Sequence, residues 1–342
     1  MPTVADAVAA ALQTAGVQYV FGLPGGETVE LLDALRRRGI EFILVHSESS
    51  ALFMADAYAR LTGTVGVCLT TLGPGATNAV VGVAHAYLDR GPVLVFTAQK
   101  PDALLPGYTH QVIDLQALFA PITKASIKLG PQHAAGAVAQ AIATALDGRP
   151  GPVHLQLSNE DAAQETEDSD APRIAPAQPA PDGAALAQAR SLLSQAQRPL
   201  IVAGLGLEPQ RPYAALAGLA ESLRAPVITT PKAKGALPDD HPLSAGTVGL
   251  TRTDPVYTLL DEADAIVAAG FDVVELVKPW QTNVPVVWVA PWENRDPVLP
   301  AAVELVGDLN LLLSQLADTT SGAEASWGEA RVAAFRSGLK RL

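Results

Sequence analysis

Three loops in this 342-residue chain pair polar side chains with backbone that leaves room for a ligand. Glu48 stands just past the apolar run Phe42 to Val45. Thr71 and the loop Gly73-Pro74-Gly75-Ala76-Thr77-Asn78 stand just past the run Val65 to Leu69. The third loop, Gly22-Leu23-Pro24-Gly25-Gly26, follows Gln18 to Phe21. A carboxylate in such a place can hold or transfer a proton. It can equally be an acid that favours the first turn of a helix. The glycines lack a Cβ and allow close backbone approach to a ligand, a plain tight turn being the alternative. Further on, His110 and Gln111 lie in a polar, irregular stretch, where a histidine is either a proton shuttle or simply solvated.

Those residues need a scaffold, and the pattern around them predicts one. Ser49 to Leu61 carries Leu52, Ala55, Tyr58 and Ala59 at helical spacing between two runs with the length and β-branched content of buried strands. This is a βαβ unit, so the strands should be parallel with a right-handed crossover. Ligands of parallel sheets collect at the carboxyl ends of the strands, where all three loops fall. Upstream, Thr3 and Asp6 stand at capping-box spacing before the stripe Val4, Ala7, Val8, Ala11, Leu12. Helices are predicted over Glu27 to Arg38, Thr77 to Leu88, Val112 to Phe119 and Ala134 to Leu146. Strands are predicted over Val93 to Thr97, Lys124 to Leu129 and Val153 to Leu157. A helix from Thr77 aims its N-terminus at the same rim.

The composition changes at Glu160 to Gly183, rich in Pro, Ala and acid with no apolar period, which reads as a linker. Beyond it helices and strands alternate again from Ala184 to Val289. The expected organisation is α/β: two doubly wound parallel-sheet domains at 1–160 and 184–318, a linker at 161–183, and a C-terminal segment at 319–342 that is helical from about Trp327. Gly204-Leu205-Gly206 follows a strand, but the third glycine of a dinucleotide fingerprint is missing.

Hydrophobic residues make up 49% and charged residues 17%, the balance of a well-buried globular protein. A net charge of −12 argues against nucleic acid or an anionic membrane as partner. No apolar run approaches the roughly 20 residues that span a bilayer, and MPTVADAV lacks the features of a signal peptide, so a cytoplasmic protein is expected. Cys68, the one cysteine, falls within a strand and reads as a core thiol.

The runs VHSESSALFMADAYARLTG and VCLTTLGPGATNAVVGVAHAYLDRGPVLVFTA closely resemble the pyrimidine-binding domain of thiamin-diphosphate-dependent enzymes, most of all the acetolactate synthase and benzoylformate decarboxylase group. The resemblance extends from FGLPGG at Phe21 to Gly26 through GRPGPVHLQL at Gly148 to Leu157. It continues through APVITTPKAKGALPDDHPLSAGTVGLTRT, which resembles the Rossmann-like middle domain. It implies that Glu48 bonds the cofactor's aminopyrimidine ring, inside a shell of Pro24, Gly25, Gly26, Thr71, Gly73, Pro74, Gly75 and Asn78. It also implies that His110-Gln111 replaces a Phe-Gln pair facing the substrate. An apolar surround from Phe53 and Met54 is expected to favour a proton on Glu48.

Full-length members hold Mg²⁺ and the diphosphate with a third domain, for which this sequence supplies no ligands. Asp239-Asp240 reads as solvated, and no metal site is expected in this chain. Thiamin diphosphate would then be shared with a partner chain that holds Mg²⁺, with homodimers inside a hetero-oligomer. In acetolactate synthases the middle domain holds FAD through a GRPGPV arginine, matched by Arg149, a His-Gly pair and an Arg-Phe-Asp-Asp run. Here Gly249-Leu250-Thr251-Arg252 and Gly270-Phe271-Asp272-Val273 stand instead, which makes FAD doubtful. Three readings stay open at this point: one subunit of a split 2-oxo acid decarboxylase or carboligase, inactive alone; a non-catalytic regulatory or oligomerising relative; and a nucleotide-binding protein using the Gly204 region.

Overall fold

The computed structural model describes residues 1–167, 182–249, 254–276, 282–295 and 298–339. Residues 168–181 of the expected linker, Leu250, Thr251 and Arg252, and the last three residues lie outside the described set. The chain forms two compact units, Met1–Ala177 and Gln178–Leu342.

The first unit has six parallel strands: β1 (Tyr19–Gly22), β2 (Glu41–Leu44), β3 (Gly66–Thr70), β4 (Val93–Gln99), β5 (Ala125–Lys128) and β6 (Val153–Ser158). Their order is β2-β1-β3-β4-β6-β5. Its helices are α1 (Val4–Thr14), α2 (Val29–Arg37), α3 (Glu48–Thr62), α4 (Pro74–Leu88), α5 (Leu115–Phe119), α6 (Ala134–Leu146) and the short α7 (Asn159–Ala162). Val8, Leu12, Leu35 and Val138 of α1, α2 and α6 pack with Val67, Leu94 and Leu155 in one core. Leu52, Ala55, Val83 and Phe119 of α3, α4 and α5 pack with Cys68 and Val95 in another. The sheet is therefore covered on both faces, as an all-parallel sheet requires.

The first helix keeps its predicted capping box, Thr3 and Asp6 each accepting from the other's backbone N–H. The strands flanking α3 are parallel as expected, but β1 lies between them. β2 is thus an edge strand, with Glu41 and Leu44 exposed and Phe42 and Ile43 half-buried, where a buried strand was expected. α4 begins at Pro74, three residues before Thr77, because proline lacks the N–H that a first helical turn leaves unpaired. The helix expected from Val112 starts at Leu115, where Asp114 caps it by accepting from Ala117 N–H. Past β6, Glu165 bridges to Thr3 and buried Thr166 donates to the Pro131 carbonyl, so the first unit runs on past residue 160.

The second unit also has six parallel strands: β7 (Pro199–Ala203), β8 (Val227–Thr229), β9 (Ser244–Thr247), β10 (Ala265–Ala269), β11 (Val286–Ala290) and β12 (Val303–Val306). Their order is β12-β11-β10-β7-β8-β9. The helices are α8 (Gly183–Gln195), α9 (Tyr213–Leu223), α10 (Tyr257–Glu262), α11 (Leu309–Ala317) and α12 (Glu329–Leu339). The C-terminal segment is part of this unit's core. Trp327, Val332 and Phe335 are buried against Leu200 and Ile266, and Trp327 Nε1 donates to the Pro199 carbonyl at 2.8 Å. No helix among the described residues is long and apolar enough to cross a membrane.

Candidate functional site

In the first unit the strand order reverses at β1, so β2 lies on one side and β3 on the other. Open parallel sheets bind ligands at such a switch point, outside the carboxyl ends of the strands. Glu48 comes from the end of β2, Gly25 from the end of β1, and Thr71, Gly73 and Gly75 from the end of β3.

Glu48 is the first residue of α3, where the helix dipole favours a negative charge. It is 4% exposed. Asn78, on the facing α4, donates through Nδ2 to Glu48 Oε2 at 3.0 Å. Ser49 Oγ in turn donates to the Asn78 carbonyl at 2.5 Å. These bonds hold the two helix starts together, and Gly82 lets the helices approach, since a Cβ there would lie 2.2 Å from Leu52 Cβ. Oε1 accepts no hydrogen bond among the described residues. It points toward Gly75, 3.3 Å from where a Cβ on that glycine would be.

The loop glycines do something more specific than leave space. A Cβ on Gly75 would lie 2.2 Å from Thr71 Oγ1, one on Gly25 2.6 Å from Thr71 Cγ2, and one on Gly73 2.4 Å from the Gln111 carbonyl oxygen. The close approach they permit is between the chain's own loops, which gathers three strand ends into one rim. Gly26 faces open space, and Pro24 is exposed. Thr28 fastens the first loop, accepting from Gly25 N–H at 3.2 Å and donating to the Gly25 carbonyl at 2.9 Å.

His110 and Gln111 are both exposed. Gln111 takes a positive φ of 59° where its backbone meets Gly73. That loop also hangs from buried Gln99, whose Nε2 donates to the Ile113 carbonyl at 3.0 Å. The expected apolar surround of Glu48 is absent from this arrangement. Phe53 and Met54 are 43% and 45% exposed on the outer side of α3, and Phe53 meets His85 edge-on. Burial, then the Glu48 carboxylate, push the Cys68 thiol well up, consistent with a core thiol.

Two charged residues at this rim escaped the sequence reading. Glu27 follows the first glycine loop, and its Oε2 lies 3.1 Å from where a Gly25 Cβ would be. Lys100 follows β4, its Nζ 3.9 Å from Glu27 Oε1 and 5.2 Å from the centre of the Tyr108 ring. Both are charges just past a strand's carboxyl end, the signal that singled out Glu48. The void behind Glu27, lined by Leu69, Phe96 and Leu157, is about 10 Å³, room for roughly one water and not for a ring. No group of three His, Cys, Asp or Glu able to hold a metal occurs among the described residues.

The chemistry of this arrangement suits an aminopyrimidine. A carboxylate with Oε2 held by Asn78 and Oε1 without a hydrogen bond among the described residues can accept an N–H from a ligand on the open side.

Residues 2–118 match the model of the thiamine pyrophosphate enzyme N-terminal TPP binding domain, and residues 186–316 match that family's central domain. A probable acetolactate synthase large subunit from Methanocaldococcus jannaschii is 37% identical over 274 residues, covering 78% of this chain and 46% of that protein. A probable 2-ketoarginine decarboxylase from Pseudomonas aeruginosa is 35% identical over 326 residues, covering 92% of this chain and 57% of that one. Among solved structures, a putative thiamin diphosphate-dependent enzyme from Mycobacterium smegmatis superposes with a TM-score of 0.83 at 26% identity, covering 95% of this chain and 64% of that one. The chain spans about half the length of the curated relatives it matches.

Proposed function

This chain belongs to the thiamine pyrophosphate enzyme family, and from that premise we propose that it supplies the pyrimidine half of a thiamin-diphosphate site that cleaves 2-oxo acids. The observation that carries the reading is Glu48, a nearly buried carboxylate at a sheet switch point with Oε1 open toward Gly75. The Mg²⁺-diphosphate half belongs to a partner chain in this reading, and this chain is inactive without it. We further propose a complex with two copies of this chain. Phe53, Met54, Leu61, Val81 and Leu88 leave exposed apolar surface on α3 and α4, which supports association of this kind.

Thiamin diphosphate, when bound, supplies the carbon nucleophile that attacks the 2-oxo acid's carbonyl. Glu48 holds a proton at a ring nitrogen of the pyrimidine, and Asn78 fixes the carboxyl plane while it does so. Gly25 and Gly75 close on Thr71, and Gly73 closes on the Gln111 backbone, which holds the loops around the pyrimidine in place. Lys100 presents its ammonium beside the rim, where it accepts the substrate's carboxylate in exchange for its loose contact with Glu27. Gln111 and His110 face the entering substrate from the loop hung on Gln99.

Purification from the native source tests the assembly. A stoichiometric second chain that confers Mg²⁺-dependent cofactor binding agrees with it; a single longer polypeptide carrying both halves contradicts the two-chain arrangement. Calorimetric titration with Mg²⁺ and thiamin diphosphate is expected to show weak or no binding by this chain alone and saturable binding with its partner. No binding by the complete assembly would end the enzymatic reading.

A further inference from the structure

The second unit has the strand order of a dinucleotide-binding fold, whose ligand crevice opens where the order reverses, here between β7 and β10. The loop after β7 is Gly204-Leu205-Gly206, and the loop after β10 is Gly270-Phe271-Asp272. In such a crevice the backbone N–H groups after the first strand receive the ligand's phosphates. Here a side chain of the same unit receives them. Leu205 N–H donates to Glu275 Oε2 at 2.9 Å, and Asp272 N–H donates to the same oxygen at 3.2 Å. Thr230, fully buried at the end of β8, donates its hydroxyl to Oε1.

The glycine geometry says the same thing independently. A Cβ on Gly204 would lie 2.4 Å from Glu275 Oε2 and 2.5 Å from Phe271 Cα. One on Gly206 would lie 2.7 Å from Cη2 of Trp292, itself 3% exposed. In a dinucleotide site the missing Cβ atoms make way for a pyrophosphate; in this unit they make way for Glu275, Phe271 and Trp292.

We propose that Glu275 closes the dinucleotide crevice of the second unit from within, its carboxylate occupying the place of a ligand phosphate, so that this unit takes neither FAD nor ADP. A dinucleotide would have to expel Glu275 from three hydrogen bonds and lift Trp292 from Gly206. Its phosphates would meanwhile approach Glu275 and Asp272, both acids, and like charges brought together oppose binding. Arg149, the arginine that first suggested flavin, does not alter this, because the obstruction lies wholly within the second unit.

The test titrates the full chain with FAD, followed by flavin fluorescence, and with ADP and inorganic pyrophosphate, followed by calorimetry. The wild type should show no saturable binding up to about 1 mM ligand. Glu275→Ala removes the plug and frees the Leu205 and Asp272 N–H groups, and should bind pyrophosphate at least about tenfold more tightly than the wild type. Stoichiometric binding of FAD or ADP by the wild type overturns the proposal. So does a folded Glu275→Ala variant that binds pyrophosphate no better than the wild type. Should that variant fail to fold, the wild-type titrations still decide, since binding refutes the closure and its absence supports it. None of these readouts depends on the reaction proposed for the first unit.

Discussion

Each unit places a carboxylate beyond the carboxyl ends of its parallel strands, near its switch point, and the two are used in opposite ways. Glu48 sits at the β1 switch point with Oε2 held by Asn78 and Oε1 unpartnered among the described residues. Glu275 sits at the β7–β10 switch point with both oxygens taken, by Thr230 on one side and two backbone N–H groups on the other. Glu48 keeps one oxygen free of hydrogen bonds among the described residues; Glu275 has both oxygens bonded. What separates an open site from a filled one in these parallel sheets is thus the count of hydrogen bonds that the carboxylate still lacks, and not the strand order.

Exchanging each acid for its amide should break the comparison most sharply. Glu48→Gln in the complete assembly should lower turnover by roughly 10²–10⁴-fold, the usual loss when an acid-base group is removed. Its melting temperature should move by only a few degrees, since the lost helix-dipole contact is worth about 0.3–1 kcal/mol. Turnover within about threefold of wild type would remove Glu48 from the chemistry.

Glu275 offers a smaller, purely thermodynamic contrast. Burial pushes its carboxyl from 4.5 up to about 7, against the lowering pull of Thr230, Leu205 N–H and Asp272 N–H; the nearby Asp272 adds to the rise. The folded protein then keeps a proton that the unfolded chain has already lost. Stability should therefore fall as pH rises from about 4.5 to about 7, by roughly 3 kcal/mol, and level off above. Denaturant titrations across that range check this. Glu275→Gln should flatten the profile, and an unchanged slope would assign the pH dependence to other groups.

The smallest effect belongs to Lys100. Lys100→Met should raise KM for the 2-oxo acid about tenfold, the scale of one charge-assisted hydrogen bond, and leave kcat within about twofold. A fall in kcat with KM unchanged would place Lys100 at the chemical step and not in recognition of the carboxylate.

Much of this molecule was legible in the sequence. The α6 helix runs from Ala134 to Leu146 as predicted, because small apolar residues at helical spacing end cleanly at an Asp-Gly turn. Glu48 stood out because an acid just past an apolar run marks a strand's carboxyl end. β9 gave no such signal: Ser-Ala-Gly-Thr lacks both a β-branched run and alternation, and it is a strand only because β8 pairs with it. Its irregular register shows how little its own sequence demands that state. The order of strands was also hidden, since nothing local to Phe42–Val45 says that β1 will come between it and the next strand. Glu275 was the least visible, lying 70 residues from Leu205, the N–H that it caps. Only the folded sheet brings them together.

Hydrogen–deuterium exchange at the thiazolium C2 of bound thiamin diphosphate, read by proton NMR after acid quench of the complete assembly, tests the role of Glu48 most directly. If Glu48 governs the proton on the pyrimidine, Glu48→Gln should slow that exchange by about 10²-fold or more while the cofactor stays bound. Equal exchange rates in the two proteins would contradict it.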